Sequence, residues 1–510
     1  MKLKKILAFL LAAQMMLAAL ASCSDNTDDK GKTDETLPVE TSETTPAETD
    51  PAETEFDRRT VEDGLPEMTF GGKDFRFLVD DKYAYQLFSE GYTGDAVNDA
   101  VYDRNQRVEG RFDAKISYVS SLGKESQDLL VQYAQTDEHV AEVCAYEQYM
   151  GNTPAIYFCW MNWQDIPHLN FDQPWWNKAS IDSHIINDYV FNISGDLSLT
   201  SIQTTWCIAF NADLMQDWGY EAETLYNTVW DGEWTLDKLI EISSDLWKDN
   251  DGNGQLSAGD FTGFATNVKA INEETGEVVC GCRTIPWITA LGERAITVGE
   301  DKRSLTNTLG TEKMYTALEK LVNFHNNTVG VNAFATNDDF ANGYAGMYVT
   351  EFDSFYTDFS DVGFATGVLP LPKYDTAQEK YITTPDTDFT MFGIPVTLPE
   401  EDFDFVGIMM EVLNAESWKT VYPEYYEAAL KGRYSTDENM ANMIEMIADS
   451  RIYEYGILCA QSLGPAKLPY MVCYAIADNN TDLASQLAEN DEGIKRTLAE
   501  ILTFFDVEAE

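Results

Sequence analysis

The chain has 510 residues, with 87 Asp and Glu against 34 Lys and Arg, a formal net charge of −53. That excess of carboxylates excludes a nucleic-acid partner, because nothing is left over to neutralise phosphates. Eight cysteines, one of them Cys23, leave an odd seven for the rest of the chain, which argues for free thiols or partial pairing, with small buried thiols preferred.

At the start, Lys2, Lys4 and Lys5 precede an apolar run from Ile6 to Leu20. A cationic end, ~15 apolar residues and small residues before a cut form a secretory signal. The run falls short of the ~20 residues that a membrane span needs. Leu20-Ala21-Ser22-Cys23 resembles the lipobox of bacterial lipoproteins. That resemblance implies removal of residues 1–22, lipidation of Cys23, and a protein anchored on the extracytoplasmic face of the bacterial cell membrane. Residues 23–66 are mostly Thr, Glu, Asp, Pro and Ser. Such a segment buries too little apolar surface to offset ordering entropy, so a disordered acidic tether is expected, with a mean span near ~35 Å.

The body beyond Pro66 is long enough for two lobes with substantial cores. Phe75-Arg76-Phe77-Leu78-Val79 reads as a strand, and Val97, Val101, Val108 and Phe112 mark a helix. A short strand at Ala114–Tyr118, a helix at Glu125–Gln135 and a strand near Ala141–Cys144 follow. Strand–helix–strand–helix–strand at this spacing predicts a parallel sheet covered by helices. Ligands in such sheets sit beyond the carboxyl ends of the strands, which places Asp80–Thr93 and the loop after Cys144 at a cleft.

Trp160, Trp163, Trp175 and Trp176 then crowd a stretch containing Pro167 and Pro174. Trp175 and Trp176 flank Pro174 and are expected to be structural. Ile156-Tyr157-Phe158 and Thr205–Asn211 read as strands, Ala212–Trp218 as a helix. A further helix begins at Leu236, with Thr235 as its N-cap. Asp249-Asn250-Asp251-Gly252-Asn253-Gly254-Gln255-Leu256-Ser257-Ala258-Gly259-Asp260 matches a twelve-residue calcium loop. Asp249, Asp251 and Asn253 stand at positions 1, 3 and 5, and Gly254 at the sharp turn. Gln255 offers its carbonyl, Ser257 acts directly or through water, and Asp260 stands where a bidentate Glu is usual. The bland alternative is a metal-free Asp/Asn/Gly turn. Because Phe261–Thr266 reads as a strand rather than an exiting helix, the expectation is a structural Ca2+ clip, not a switch. Cys280-Gly-Cys282 is too sparse for a structural zinc site, which takes four ligands.

In this order the signal with its lipobox, the acidic tether, Gly94–Asn105, Pro174-Trp175-Trp176-Asn177, Trp234–Leu239, the calcium-like loop and Gly367-Val368-Leu369-Pro370-Leu371-Pro372-Lys373 resemble extracellular solute-binding proteins of family 1. These are the lipoproteins that deliver sugars to bacterial ABC importers. The resemblance implies an α/β, two-lobed periplasmic-binding-protein-like fold with discontinuous lobes, and crossings near Leu197–Thr205 and Thr383–Phe389. Residues 67–199 then begin lobe 1, 200–382 form lobe 2, 383–430 return to lobe 1, and 431–510 are C-terminal helices packing across the lobes. It further implies a monomer, ABC permease subunits as partners, closure around the ligand, and no enzymatic activity.

A sugar presents apolar faces and hydroxyl edges, so its site needs flat aromatic surfaces beside carboxylates or amides. The candidates are Trp160, Asn162 and Trp163, Trp206 beside the first crossing, Phe352, Asp353 and Tyr356 after the apolar run Gly346–Val349, Asp386 and Asp388 at the second crossing, and Trp287 after Cys282. Each Trp is as readily a core residue, and each Asp a turn or cap. An exported glycoside hydrolase and a cell-surface adhesion or scaffold module remain the competing readings; carboxylate pairs are too abundant in the sequence to identify the first, and the four histidines fall in no zinc-like spacing.

Overall fold

The computed structural model describes residues 57–121, 125–148, 151, 157–244, 246–257, 259–272, 275–281, 283, 285–426, 438–460 and 468–507. The expected signal, Cys23 and the tether as far as Phe56 lie outside the described residues, as does Cys282.

The first lobe opens on β1 (Lys73–Asp80), whose Phe75, Phe77 and Val79 are fully buried on one face. Alternation of this kind puts every second side chain into a single core. The helix Ala96–Phe112 covers that face with Val108 and Phe112, while its Val97 and Val101 join Leu78 in the second core cluster. Its first turn is capped by Asp95, which accepts from the Asn98 amide at 2.8 Å, and Asp113 ends it in the left-handed region at φ 47°. β2 (Ala114–Ser121) and β3 (Val143–Glu147) both run parallel to β1, as the spacing predicts. β4 is only Trp160–Met161, and Tyr157–Cys159 before it is a single helical turn rather than the expected strand. The Trp160 ring is stacked on Tyr146 with centroids 5.0 Å apart.

The second lobe is built on β5 (Trp206–Asn211), all six residues buried, with β6 (Trp247–Lys248) and β7 (Phe261–Ala265). Two hairpins, β8 (Lys269–Ile271) with β9 (Val278–Cys280) and β10 (Ile296–Val298) with β11 (Leu305–Asn307), decorate it. β12 (Val331–Asn332), β13 (Ala345–Glu351) and β14 (Thr366–Leu369) complete a sheet of order β12-β7-β13-β5-β14, with β6 on β7. The chain then returns: β15 (Thr390–Pro395) lies antiparallel between β3 and β4, giving β2-β1-β3-β15-β4 in the first lobe. The helix Phe403–Glu416 seals that lobe's core. An α/β fold with two sheets and discontinuous lobes is what these connections make.

Trp175 and Trp176 are buried and structural: their indole N–H groups donate at 3.0 and 2.9 Å to the Glu411 carboxylate, which also accepts from the Asn170 amide. The expected tether to Pro66 needs correction from Asp57 onward. There the Arg58 guanidinium lies over the rings of Trp418 and Tyr422, Asp63 pairs with Arg111 at 2.5 Å, and Val61 and Leu65 pack on the first lobe's core. The C-terminal helix Leu483–Thr503 packs on the second lobe. Just beyond it the Phe505 carbonyl accepts from Asn187, and Tyr189 donates to Asp506, reaching first-lobe segments. Cys144, Cys159 and Cys207 are buried free thiols, Cys459 and Cys473 are buried, and Cys280 is half-buried. No helix among the described residues is long and apolar enough to cross a membrane.

Candidate functional site

The two crossings meet. Thr205 bridges Pro385 in antiparallel fashion, the Asp386 amide donates to the Thr204 carbonyl at 2.9 Å, and the Thr383 hydroxyl to the Trp206 carbonyl at 2.7 Å. A third thread runs alongside, where Thr383 exchanges backbone hydrogen bonds with Ser450 and Ile452. β1 and β3 of the first lobe end toward this junction at Asp80 and Glu147, and β13 of the second ends there at Glu351, which pairs in register with Trp206. A sheet delivers its loop side chains at the carboxyl ends of parallel strands, so both lobes present their loops to one gap.

Carboxyls dominate that gap. Tyr83, in the turn after β1, donates to Glu147 at 2.8 Å and lies 3.3 Å from an Asp388 oxygen, while Lys82 pairs with Glu147 at 2.5 Å. Glu351, Asp353, Asp386 and Asp388 are each half-buried. Burial, with Asp358 nearby, pushes Asp353 up to about 6, and burial with the Asp388 charge does the same to Asp386. Glu351 is driven well above the usual carboxylate range by burial and then by Asp386, and Asp388 is raised by burial and by Glu147. The second cation at the junction, Arg283, lies over Trp206 and Tyr348 but gives its N–H groups to the Val349 carbonyl and the Asn337 side chain. Tyr85 donates to Gln203 on the first crossing, and Tyr356 donates across to Asp95 of the first lobe.

Of the residues named from sequence, Trp206, Asp353, Tyr356, Asp386 and Asp388 converge here. The others do not, and each for an identifiable reason. Trp163 is fully buried in the first lobe with its indole N–H on the Phe392 carbonyl at 3.1 Å. Trp160 is buried in β4 and donates to the Gly151 carbonyl. Asn162 uses its amide to cap the turn Trp163–Asp165 and to hold Val190 and Asp188. Trp287 sits in the second lobe's core, its ring 5.9 Å from that of His325, and Phe352 is wholly buried. Residues that sequence reading did not single out are Lys82, Tyr83, Tyr85, Glu147, Gln203, Arg283 and Tyr425; Glu351 opens the candidate segment that holds Asp353 and Tyr356. The placement of Asp80–Thr93 at a cleft was the signal for the first three.

The calcium-like loop lies at the other end of the second sheet, between β6 and β7. The Asp249 carboxylate accepts from the Gly252 and Gly254 amides, and Asp260 from the Asn250 and Ser257 amides. Gly252 and Gly254 have φ of 74° and 76°, which explains glycine at both positions. Asp251 accepts from the Asn253 amide, and the Asn253 side-chain oxygen from Gln255. Oxygens of Asp249, Asp251 and Asp260 lie within 4.8 Å of one another, an all-oxygen donor set that fits a hard cation. A strand follows directly, as expected.

Neither a family model nor a curated protein matches this sequence. Among solved structures, the chain is similar to a cyclic α-maltosyl-1,6-maltose binding protein from Arthrobacter globiformis, with 13% identity, a TM-score of 0.55, and coverage of 84% of this chain and 99% of that one. It is also similar to the maltose-binding periplasmic protein of Listeria monocytogenes in complex with maltose, with 12% identity, a TM-score of 0.52, and 84% and 98% coverage. An ABC substrate-binding protein from Listeria monocytogenes in complex with cycloalternan gives 12% identity, a TM-score of 0.50, and 84% and 99% coverage. These likenesses establish the two-lobed periplasmic-binding-protein-like fold.

Proposed function

We propose that this protein is an extracytoplasmic solute-binding receptor that captures a carbohydrate, an oligosaccharide by preference, between its lobes and delivers it intact to an ABC importer. The observation that carries the reading is the junction itself: carboxyls and tyrosines from loops of both lobes converge on a pair of hydrogen-bonded crossings. A solute touching both lobes stabilises the closed arrangement by the contacts it makes with each, which is a population shift, and the crossings absorb the rotation. The fold's likeness to binding proteins whose ligands are maltose and cyclic glucans supports the carbohydrate class.

The same reading gives Cys23 a lipid anchor, residues 23–56 the tether, and the loop Asp249–Asp260 a structural Ca2+, with Asn253, Gln255 and Ser257 completing the ligands. It makes the protein a monomer that meets permease subunits when closed. Titration with an oligosaccharide panel, followed by thermal shift, tests it: a bound ligand raises stability by mass action. Binding with the glycan recovered whole is the expected result.

One observation favours a second reading. Glu351 and Asp386 lie close enough for the Asp386 charge to add to the burial that raises Glu351, and glycoside hydrolysis uses a carboxyl pair with one raised member. Cleaved product in the same titration identifies that enzyme.

A further inference from the structure

Two buried polar groups beside the junction carry no hydrogen-bond partner. Trp206 is 1% exposed with its indole N–H unpaired, and Tyr425 is 1% exposed with its hydroxyl unpaired. Trp206 stands opposite Glu351 in the β5–β13 register, and Tyr425 feels the charges of Asp353 and Glu351, so both groups border the carboxyl cluster. A buried unsatisfied polar group is costly, and natural folds keep few of them. Both are donors, and the partner they call for is an oxygen. The carboxyls call for something different. Five of them (Glu147, Glu351, Asp353, Asp386, Asp388) face two cations: Lys82 pairs with Glu147, which leaves the single Arg283 charge, its N–H groups on a carbonyl and an amide, to serve the other four. Covering those of the four that are ionised with a neutral solute strips their water and returns no further opposite charge. Covering them with a cation returns it.

Resting on the receptor reading above, we propose that the cleft selects a polyhydroxylated amine, an amino sugar or an oligosaccharide bearing one, over the matching neutral sugar. Its ammonium faces Glu351, Asp353, Asp386 and Asp388, and its ring or hydroxyl oxygens accept from Trp206 and Tyr425. The cluster is thus a specificity element rather than a generic hydroxyl binder. Attraction between an ammonium and desolvated carboxylates also makes binding fall with ionic strength more steeply than for a neutral glycan.

The test is calorimetry of the full folded chain with matched short oligomers: glucose and glucosamine, galactose and galactosamine, mannose and mannosamine, and N-acetylglucosamine as the neutralised amine. Titrations run at about pH 7, still below the usual range of such amino groups and above the raised values of about 6 of Asp353 and Asp386. The expected result is at least tenfold tighter binding of an amine-bearing member than of its neutral partner, a preference reduced severalfold in Asp353→Asn and Asp386→Asn. These variants delete a strained charge and are expected to fold, which a melting curve checks. Equal or tighter binding of the neutral member overturns the cation preference and leaves the receptor standing. Undiminished preference in both variants overturns the assignment to this cluster. Failure of every member to bind, with melting temperatures unmoved, overturns the receptor reading and this inference with it.

Discussion

Tyr356 of the second lobe donates its hydroxyl to the carboxylate of Asp95 in the first, the residue that also caps the helix Ala96–Phe112. The bond crosses the mouth of the gap and belongs to the arrangement with the lobes together. A hydrogen bond to a charged acceptor at such an exposed position contributes about 1 kcal/mol, which is about a fivefold change in an open–closed equilibrium. Tyr356→Phe is therefore expected to enlarge the radius of gyration of the unliganded protein in X-ray scattering and to weaken solute binding about fivefold. An unchanged scattering profile and affinity assign the contact no part in closure.

Glu411 is the common acceptor for the indoles of Trp175 and Trp176 and for the Asn170 amide. Truncating it leaves two buried indole donors and the more exposed Asn170 amide unanswered, and an orphaned buried donor costs about 1–3 kcal/mol. Glu411→Ala is expected to lose about 3–5 kcal/mol in denaturant unfolding. Glu411→Gln keeps one acceptor oxygen and loses less. Equal losses in both variants rule out the indole contacts as the cause.

Stability is expected to rise as pH falls from about 8 to about 5. Burial holds Asp196 and Glu411 at about 7, and Asp353 and Asp386 at about 6, above their ordinary values of 3.8 and 4.5. A carboxyl raised in the folded state binds its proton earlier there than in the unfolded chain, so folding gains as pH drops through the folded value and stops gaining near the ordinary one. His184 and His325 work in the opposite sense: burial lowers both from 6.5 to about 4, so their contribution is lost as pH falls from 6.5 towards 4. The raised carboxyls outnumber these two. Melting temperatures across that range check the sign, and a monotonic fall on acidification contradicts it.

Calcium at hundredfold excess over its dissociation constant stabilises a folded protein that binds it by about 2.7 kcal/mol. Added Ca2+ is expected to raise the melting temperature, a chelator to reverse it, and Asp249→Asn to abolish the response. No response in the unaltered protein identifies the loop as a turn held by its own hydrogen bonds.

Particular residues explain what could be read from the sequence. Phe75, Phe77 and Val79 alternate, and alternation is local, so β1 and its parallel neighbours were legible. Asp386 and Trp206 were legible as crossing residues because the expected topology placed both segments at the junction, where Thr205 and Pro385 do pair. Which tryptophans face the gap was not. Trp163 is settled by the Phe392 carbonyl, 229 positions away, on a strand that returns to the first sheet late in the chain. No local pattern distinguishes it from Trp206. The segment Asp57–Pro66 has the composition of a tether for a similar reason: its polar residues say nothing of Trp418 and Tyr422, the rings that hold Arg58.

The threads at Thr205, Thr383–Pro385 and Ser450–Ile452 lie side by side and share backbone hydrogen bonds. A pair of bodies joined by one strap can swivel, slide and twist against each other. Strapped twice side by side, with a thread between two helices of the second lobe bonded along the return strap, they keep a single easy bend, and every other relative movement has to break bonds. Opening and shutting then follow one track, and the two halves of the gap come back into the same register after each excursion.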